Sequence, residues 1–371
     1  MDFVVATILY PLVVAALALG AGLLVDVASA RALPGVFIPV AGLAALMVVA
    51  ELFAYWEPIA PAAPFAVAVV AVAGYAVGWT RLRGVRLDPW PIAATVGAYV
   101  LVCLPVLLSG RVTETGYLLD TTAALHVTAA DYLTEHARNF GRLPVSALSL
   151  TMEGYYGNGY PSGGHTLLGA TGRLIGTPRL WLYQPFISLL VAFCVPSLFY
   201  MLRSATLSRA FAAAAAVIAA VPALVYAYAQ MGAIKELAAL PFILALGPLL
   251  IMLPRLLALG LRGAVPIAVV AAAGIGAIGV AFGPWLVVVA VAGLVLVVVR
   301  SDRDTWRRRD IRSLRPLVAF AAVLAVATLV LAVPTFGPLS ESVSVAKSLS
   351  TSNAAAAADP GNLLRPLLGS Q

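Results

Sequence analysis

Phe3-Val-Val-Ala-Thr-Ile-Leu-Tyr-Pro-Leu-Val-Val-Ala-Ala-Leu-Ala-Leu-Gly-Ala-Gly-Leu-Leu-Val25 runs for 23 residues without a charged side chain. Folded as a helix, with a rise of about 1.5 Å per residue, such a run crosses the ~30 Å hydrocarbon core of a bilayer. No basic residue precedes it, so it reads as a retained helix rather than a signal peptide. Nine more apolar runs, bounded by charge, Pro or Gly, lie at about residues 35–55, 65–80, 90–108, 181–202, 210–229, 237–254, 264–281, 284–299 and 316–333. Together they predict an all-α polytopic membrane protein of about ten transmembrane helices. The eighth and ninth, separated only by Ala281-Phe-Gly-Pro284, also read as one broken pair, which lowers the count by one.

Composition points the same way. Of 371 residues, 62% are hydrophobic and 11% charged, whereas about 25% of a soluble domain is charged. A soluble enzyme, a secreted disulfide scaffold and a disordered tail are excluded. The net charge of +7 is spread along short loops rather than gathered on a solvated face, so no nucleic-acid partner is expected. Cys103 and Cys194 each sit inside an apolar run and read as small buried hydrophobes.

Arginine and lysine bias sets the expected orientation. With the amino terminus outside, 15 of the 23 basic residues fall in inner loops, the densest run being Arg300 to Arg315, a cytoplasmic anchor against anionic lipid. A plasma-membrane protein with an extracytoplasmic loop at 109–180 follows. That loop holds all three histidines, His126, His136 and His165. Long loops in compact proteins are usually functional or disordered, and this one is patterned. Leu125, Ala129, Tyr132 and Leu133 recur at helical spacing and predict an amphipathic helix at the membrane surface; His165 to Ile175 is expected to form a second.

Several residues of this face can carry chemistry. Asp120, in Gly116-Tyr-Leu-Leu-Asp120-Thr-Thr, lies at the interface, where partial desolvation raises a carboxylate's proton affinity toward that of a general base. Taken alone it reads first as a helix cap, and the two roles are compatible. Asp131, Glu135 and Arg138 fall on one helical face and read as a solvated salt-bridge stripe. The densest cluster is Glu153-Gly-Tyr155-Tyr156-Gly-Asn158-Gly-Tyr160-Pro161-Ser-Gly-Gly-His165. Its glycines permit irregular backbone and its tyrosines offer flat faces with hydroxyl handles, which suits a sugar, a lipid headgroup or an interfacial aromatic belt. His165 fits phosphate binding, proton transfer, metal ligation or a purely structural role. Lys235, one of two lysines among 21 arginines, stands on the same side in Gln230-Met-Gly-Ala-Ile-Lys235-Glu236; it reads as a phosphate ligand or as a snorkelling helix end. Asp120, His126, Glu153 and His165 show no tight ligand spacing and no zinc site is expected; a divalent cation held by carboxylates with a substrate phosphate stays open.

The early outer-loop acid, the two surface helices and Tyr160-Pro161-Ser-Gly163-Gly-His165 resemble the GT-C superfamily of membrane glycosyltransferases, in particular its large actinobacterial-type members. Lys235-Glu236 and Pro360-Gly-Asn362-Leu-Leu-Arg-Pro366-Leu are similar to elements of the same group, so the resemblance covers roughly residues 90–371. It implies an inverting transferase that moves a sugar from a polyprenyl-phosphate donor to a hydroxyl of a cell-envelope glycan or lipid acceptor. Asp120 would be the base, Lys235 would meet the lipid phosphate, and His126, Glu153, Tyr156, Tyr160 and His165 would line the substrate. On this reading residues 1–89 form a three-helix membrane extension, 90–333 the core, and 334–371 an extracytoplasmic tail at the start of a further region. The alternatives are a transporter or lipid flippase, disfavoured because Glu51 and Arg255 are nearly the only ionisable residues inside the spans, and a non-catalytic scaffold.

Overall fold

The computed structural model describes residues 2–84, 88–113, 122–205, 207–300, 311–337 and 340. Among these, every regular element is helical and none is a strand. The helices are α1 (Asp2–Ala28), α2 (Gly35–Phe53), α3 (Ala60–Gly84) and α4 (Pro89–Ser109); then α5 (Thr122–His136), α6 (Ala147–Met152) and α7 (Gly163–Ile175). After them come α8 (Arg179–Ser204), α9 (Arg209–Ala220), α10 (Ala223–Met231), α11 (Ile234–Ala258), α12 (Leu261–Ile278), α13 (Gly283–Arg300) and α14 (Ile311–Leu331).

Seven helical runs among the described residues are long and apolar enough to cross a membrane: α1 to α4, α8, α11 and the stretch Leu261–Leu296; the pair α9 and α10, bent by 52°, makes an eighth if counted as one span. The expected ten are not reached. Residues 264–281 and 284–299 belong to one apolar stretch, because Pro284 starts a helix rather than ending one. The last expected span has only the shorter apolar stretch Leu317–Leu331.

Outward faces are as apolar as inward ones. Phe65, Val69 and Val72 on α3, and Val287, Val288, Val291, Leu294 and Val295 on α13, are all exposed. In water such stripes drive association; against lipid tails they are at home, and the chain reads as a membrane protein.

Small residues set how closely the helices approach, as lipid-embedded packing requires. A Cβ on Gly42 would lie 1.6 Å from the Ala18 carbonyl oxygen, and one on Gly74 would lie 1.8 Å from that of Gly20, so α1, α2 and α3 touch backbone to backbone. One apolar core then runs from Tyr10, Val14 and Leu43 through Leu167 and Phe186 to Phe242 and Val270.

A polar latch closes one end of α1, α2 and α3. Asp26 is fully buried; its Oδ1 accepts from Leu33 N at 2.9 Å and its Oδ2 lies 3.3 Å from Arg81 Nε. Arg81 also donates to the Leu33 carbonyl at 3.0 Å, while Arg31, left-handed at φ 60°, donates to Thr80. Hydrogen bonds to charged groups contribute about 1.5–3 kcal/mol, so Asp26→Asn is expected to lower the unfolding free energy in detergent by about that much, read as a lower thermal midpoint. An unchanged midpoint would remove Asp26 from the latch.

The carboxy-terminal end of α10 is stapled from its neighbours. Gln184 donates to the Ala229 carbonyl at 3.1 Å, the Tyr183 hydroxyl to that of Gly232 at 2.7 Å, and Gln230 to that of Val102 at 3.0 Å. These bonds fix the chain just ahead of Lys235.

Segment 109–180 is mostly helical where it is described. The apolar face of α5, with Leu125, Ala129, Tyr132 and Leu133, is buried as its spacing predicts, but against Met152 and Tyr156 of its own segment. The second expected surface helix is different: all residues from Gly163 to Gly172 are buried. Helix α7 lies inside the bundle because its glycines remove the bulk that would hold it out. A Cβ on Gly169 would stand 2.1 Å from the Ala130 carbonyl oxygen of α5, and one on Gly163 would stand 2.9 Å from the Gly276 carbonyl carbon of α12.

Candidate functional site

Helix α7 carries His165 in its first turn, and α5 carries His126 in its own; the close approach at Gly169 holds the two helices together. His165 Nε2 and His126 Nδ1 stand 3.0 Å apart, so one proton is shared between the rings. Both histidines are buried, and the hydroxyl of the buried Tyr156 lies 3.4 Å from His126 Nδ1. Tyr160 stacks on His126 at 5.9 Å between centroids and stands edge-on to Tyr155, Tyr156 and His165. Lys235, in the first turn of α11, places Nζ 4.7 Å from the Tyr160 ring centroid and 3.3 Å from Glu236 Oε1.

Five of the expected substrate residues, His126, Tyr156, Tyr160, His165 and Lys235, are therefore one contact group drawn from α5, the 153–162 turn, α7 and α11. Their placements differ. Tyr156 has no accessible surface, so its hydroxyl serves the histidines and its face is closed to a ligand; the accessible faces are those of Tyr155 and the half-buried Tyr160. Glu153 is exposed, with its Cγ packed over Gly157, and takes no part in the ring and hydrogen-bond contacts of the group. Asp120 lies outside the described residues, as do Asp302 to Asp310 of the basic run and the Pro360 to Leu367 motif. His136 stands apart, 4.0 Å from Glu57 and 3.9 Å from Glu135.

Arg138 corrects the expected salt-bridge stripe. Ala137, left-handed at φ 51°, follows the last residue of α5 and turns the chain, so Arg138 leaves the face of Asp131 and Glu135. Its guanidinium donates to the Tyr156 carbonyl, to the Tyr160 carbonyl at 3.0 Å and to Ser162 Oγ at 3.1 Å, fastening the turn that carries the tyrosines. Glu135 pairs instead with Arg173 of α7 and Asp131 with Arg179 of α8. Helical spacing foretold the face but not the reversal at Ala137, whose conformation is uncommon for a residue with a Cβ.

Electrostatics in the group favour neutral side chains. Burial pushes the His165 imidazole well below its usual range, the neighbouring His126 and the charges of Arg138 and Lys235 push the same way, and the Ser162 backbone acts against them. Burial also raises the Tyr156 phenol well above its usual value. At neutral pH His165 is thus held uncharged beside His126, bordered by Arg138, Lys235 and open tyrosine faces. Such a set can hold an anion, stack on a ring and pass a proton. No three His, Cys, Asp or Glu side chains are grouped to hold a metal ion among the described residues.

No family model, no curated protein and no solved structure matches the chain.

Proposed function

We propose that the chain is a membrane glycosyltransferase of the GT-C type, which moves a sugar from a polyprenyl-phosphate donor to a hydroxyl of a cell-envelope acceptor at the extracytoplasmic face of the plasma membrane. The observation that carries this reading is the convergence of His126, Tyr160, His165 and Lys235 into one polar group on an otherwise apolar bundle. A lipid-linked sugar phosphate offers the matching chemistry. Its phosphate suits Lys235, its ring suits the open faces of Tyr155 and Tyr160, and its hydrocarbon stays among the spans.

In the reaction the acceptor oxygen bonds to the anomeric carbon as the bond from that carbon to the phosphate oxygen breaks. The hydroxyl proton goes to Asp120, and the polyprenyl phosphate leaves with its charge met by Lys235. In-line attack inverts the anomeric centre. The test is the full chain in proteoliposomes with polyprenyl-phosphate sugars and a hydroxyl acceptor. Lys235→Ala is expected to weaken donor binding about 10- to 100-fold, since a charge-assisted hydrogen bond contributes about 1.5–3 kcal/mol, and Asp120→Asn to stop transfer while donor still binds. Undiminished donor binding in the first variant, or unimpaired transfer in the second, would remove that residue's role; no transfer by the wild-type chain from any such donor would overturn the reading.

A further inference from the structure

The turn that joins α1 to α2 gathers three arginines. Arg31 belongs to the turn itself. Arg81, from the last turn of α3, donates to the Leu33 carbonyl at 3.0 Å, and the guanidinium of Arg255, from the last turn of α11, stands 3.5 Å from the Arg31 carbonyl oxygen. Ala30 and Arg31 are both left-handed, at φ 56° and 60°, a conformation uncommon for residues with a Cβ. From that strained turn the Arg31 side chain donates to the Thr80 hydroxyl at 3.1 Å. Carbonyl and hydroxyl oxygens accept from a guanidinium without cancelling its charge. Asp26, buried beside Arg81, is the one carboxylate paired with any of the three among the described residues, and it balances at most one of them. Arg31 and Arg255 are exposed, so positive charge is left at the surface of this turn.

An anion drawn to this turn meets a lipid setting. Lys235 and Arg255 lie near opposite ends of α11, about 30 Å apart at about 1.5 Å per residue, which is one hydrocarbon thickness. The turn therefore sits at the membrane face opposite the histidine group. Val77 and Ile251, 49% and 42% exposed, come four residues before Arg81 and Arg255, so each lies on the same helix face as its arginine, one turn closer to the bilayer centre. Trp79, exposed with the Arg83 guanidinium 4.8 Å from its ring centroid, has the aromatic and cationic character of the lipid–water boundary at this level.

We propose that Arg31, Arg81 and Arg255 form a site for the phosphate headgroup of an anionic phospholipid, whose acyl chains run over Val77 and Ile251. Guanidinium groups suit this ligand because each presents parallel N–H donors to phosphate oxygens, and basic pockets between spans hold anionic headgroups. A soluble phosphate would meet the cations and leave the two apolar side chains unused. A phosphatidylcholine would bring its own cation against theirs.

Native mass spectrometry of the full chain, stripped of lipid in detergent and titrated with phosphatidylglycerol, tests this without any sugar donor, so its outcome is independent of whether the chain transfers sugar. The wild-type chain is expected to hold one phosphatidylglycerol at least about 10-fold more tightly than a phosphatidylcholine with the same acyl chains, and an excess of inorganic phosphate is expected not to displace it. Arg31→Gln and Arg255→Gln should each weaken that binding about 5-fold, the measure of one basic residue at an anionic lipid surface, and the double variant more than either. Arg255 is exposed at a helix end, so its replacement leaves the fold intact and carries the test if the strained turn does not tolerate Arg31→Gln. Arg255→Lys, which keeps the charge, should restore most of the binding. Arg262→Gln, at an exposed position on the same side but off the turn, should bind as wild type does. Equal binding of phosphatidylcholine, displacement by inorganic phosphate, wild-type binding in Arg255→Gln, or a loss of the same size in Arg262→Gln would each overturn the assignment.

Discussion

Gly169→Val is expected to separate His126 from His165 and to destabilise the protein by about 3 kcal/mol or more, beyond the usual cost of an overpacked core position. Even the first added carbon meets the Ala130 carbonyl oxygen at 2.1 Å and the Thr134 side chain at 2.7 Å. The Ala130 oxygen is backbone held within a helix, so it cannot swing aside as the end of a flexible side chain can; α5 must move as a body. Because α5 carries His126 and α7 carries His165, the 3.0 Å contact between the rings is the first to be lost. Gly169→Ala should show the same effect at smaller size. The check is the unfolding midpoint in detergent together with the imidazole resonances of the two histidines. A Gly169→Ala chain as stable as wild type, with its histidine signals unmoved, would mean that α5 and α7 do not meet through this glycine.

His165→Gln is expected to flatten the acid side of the stability profile. Burial and the cations around His165 hold its imidazole below the usual value of 6.5, so the unfolded chain takes up a proton there before the native chain does. Native stability due to this group is fully present above about pH 6.5 and falls as the pH drops, by up to about 1.4 kcal/mol per pH unit, until the native imidazole itself protonates. The groups that face it are His126 from α5, Tyr156 and Tyr160 from the turn, Arg138 beyond α5, and Lys235 from α11. Glutamine cannot take the proton, so the variant should lose one proton's worth of slope between pH 6.5 and 5, measured as unfolding free energy against pH. An unaltered slope would place the linked proton elsewhere.

What could be read from the chain alone depended on which signal each residue sends. The apolar runs of α1 to α4 announce themselves by length, and their helices fall within a few residues of the expected limits. The surplus in the expected count came from segments whose apolar character is clear but whose length is not, such as Leu317–Leu331. Helix α7 was legible as a helix and not as a buried one. Period reports a face, whereas the small side chains of Gly163, Gly164, Gly169 and Gly172 report closeness, and only the partner backbones at Ala130 and Gly276 show what they are close to. Within the candidate site, His126, Tyr160, His165 and Lys235 were picked by chemical type and share one group, while Tyr156 proved to be closed in. Arg138 was misplaced by assuming one unbroken helix past Ala137. Glu51 stood out only as a charge within a span; its packing against Gly276 of α12 is something that no local pattern records.

The stapled end of α10 also bears on how the protein is assembled. Helices α9 and α10 have 12 and 9 residues, each too short to cross the hydrocarbon core alone. The Ala229 and Gly232 carbonyls at the end of α10 are met by side chains of α8, and Gln230 reaches back to α4. A nascent chain that released this pair into lipid alone would leave these groups without the partners that helices made earlier supply. Biogenesis must therefore keep α4 and α8 within reach while residues 209–232 emerge, so the order of synthesis and the architecture of the bundle are coupled at this point.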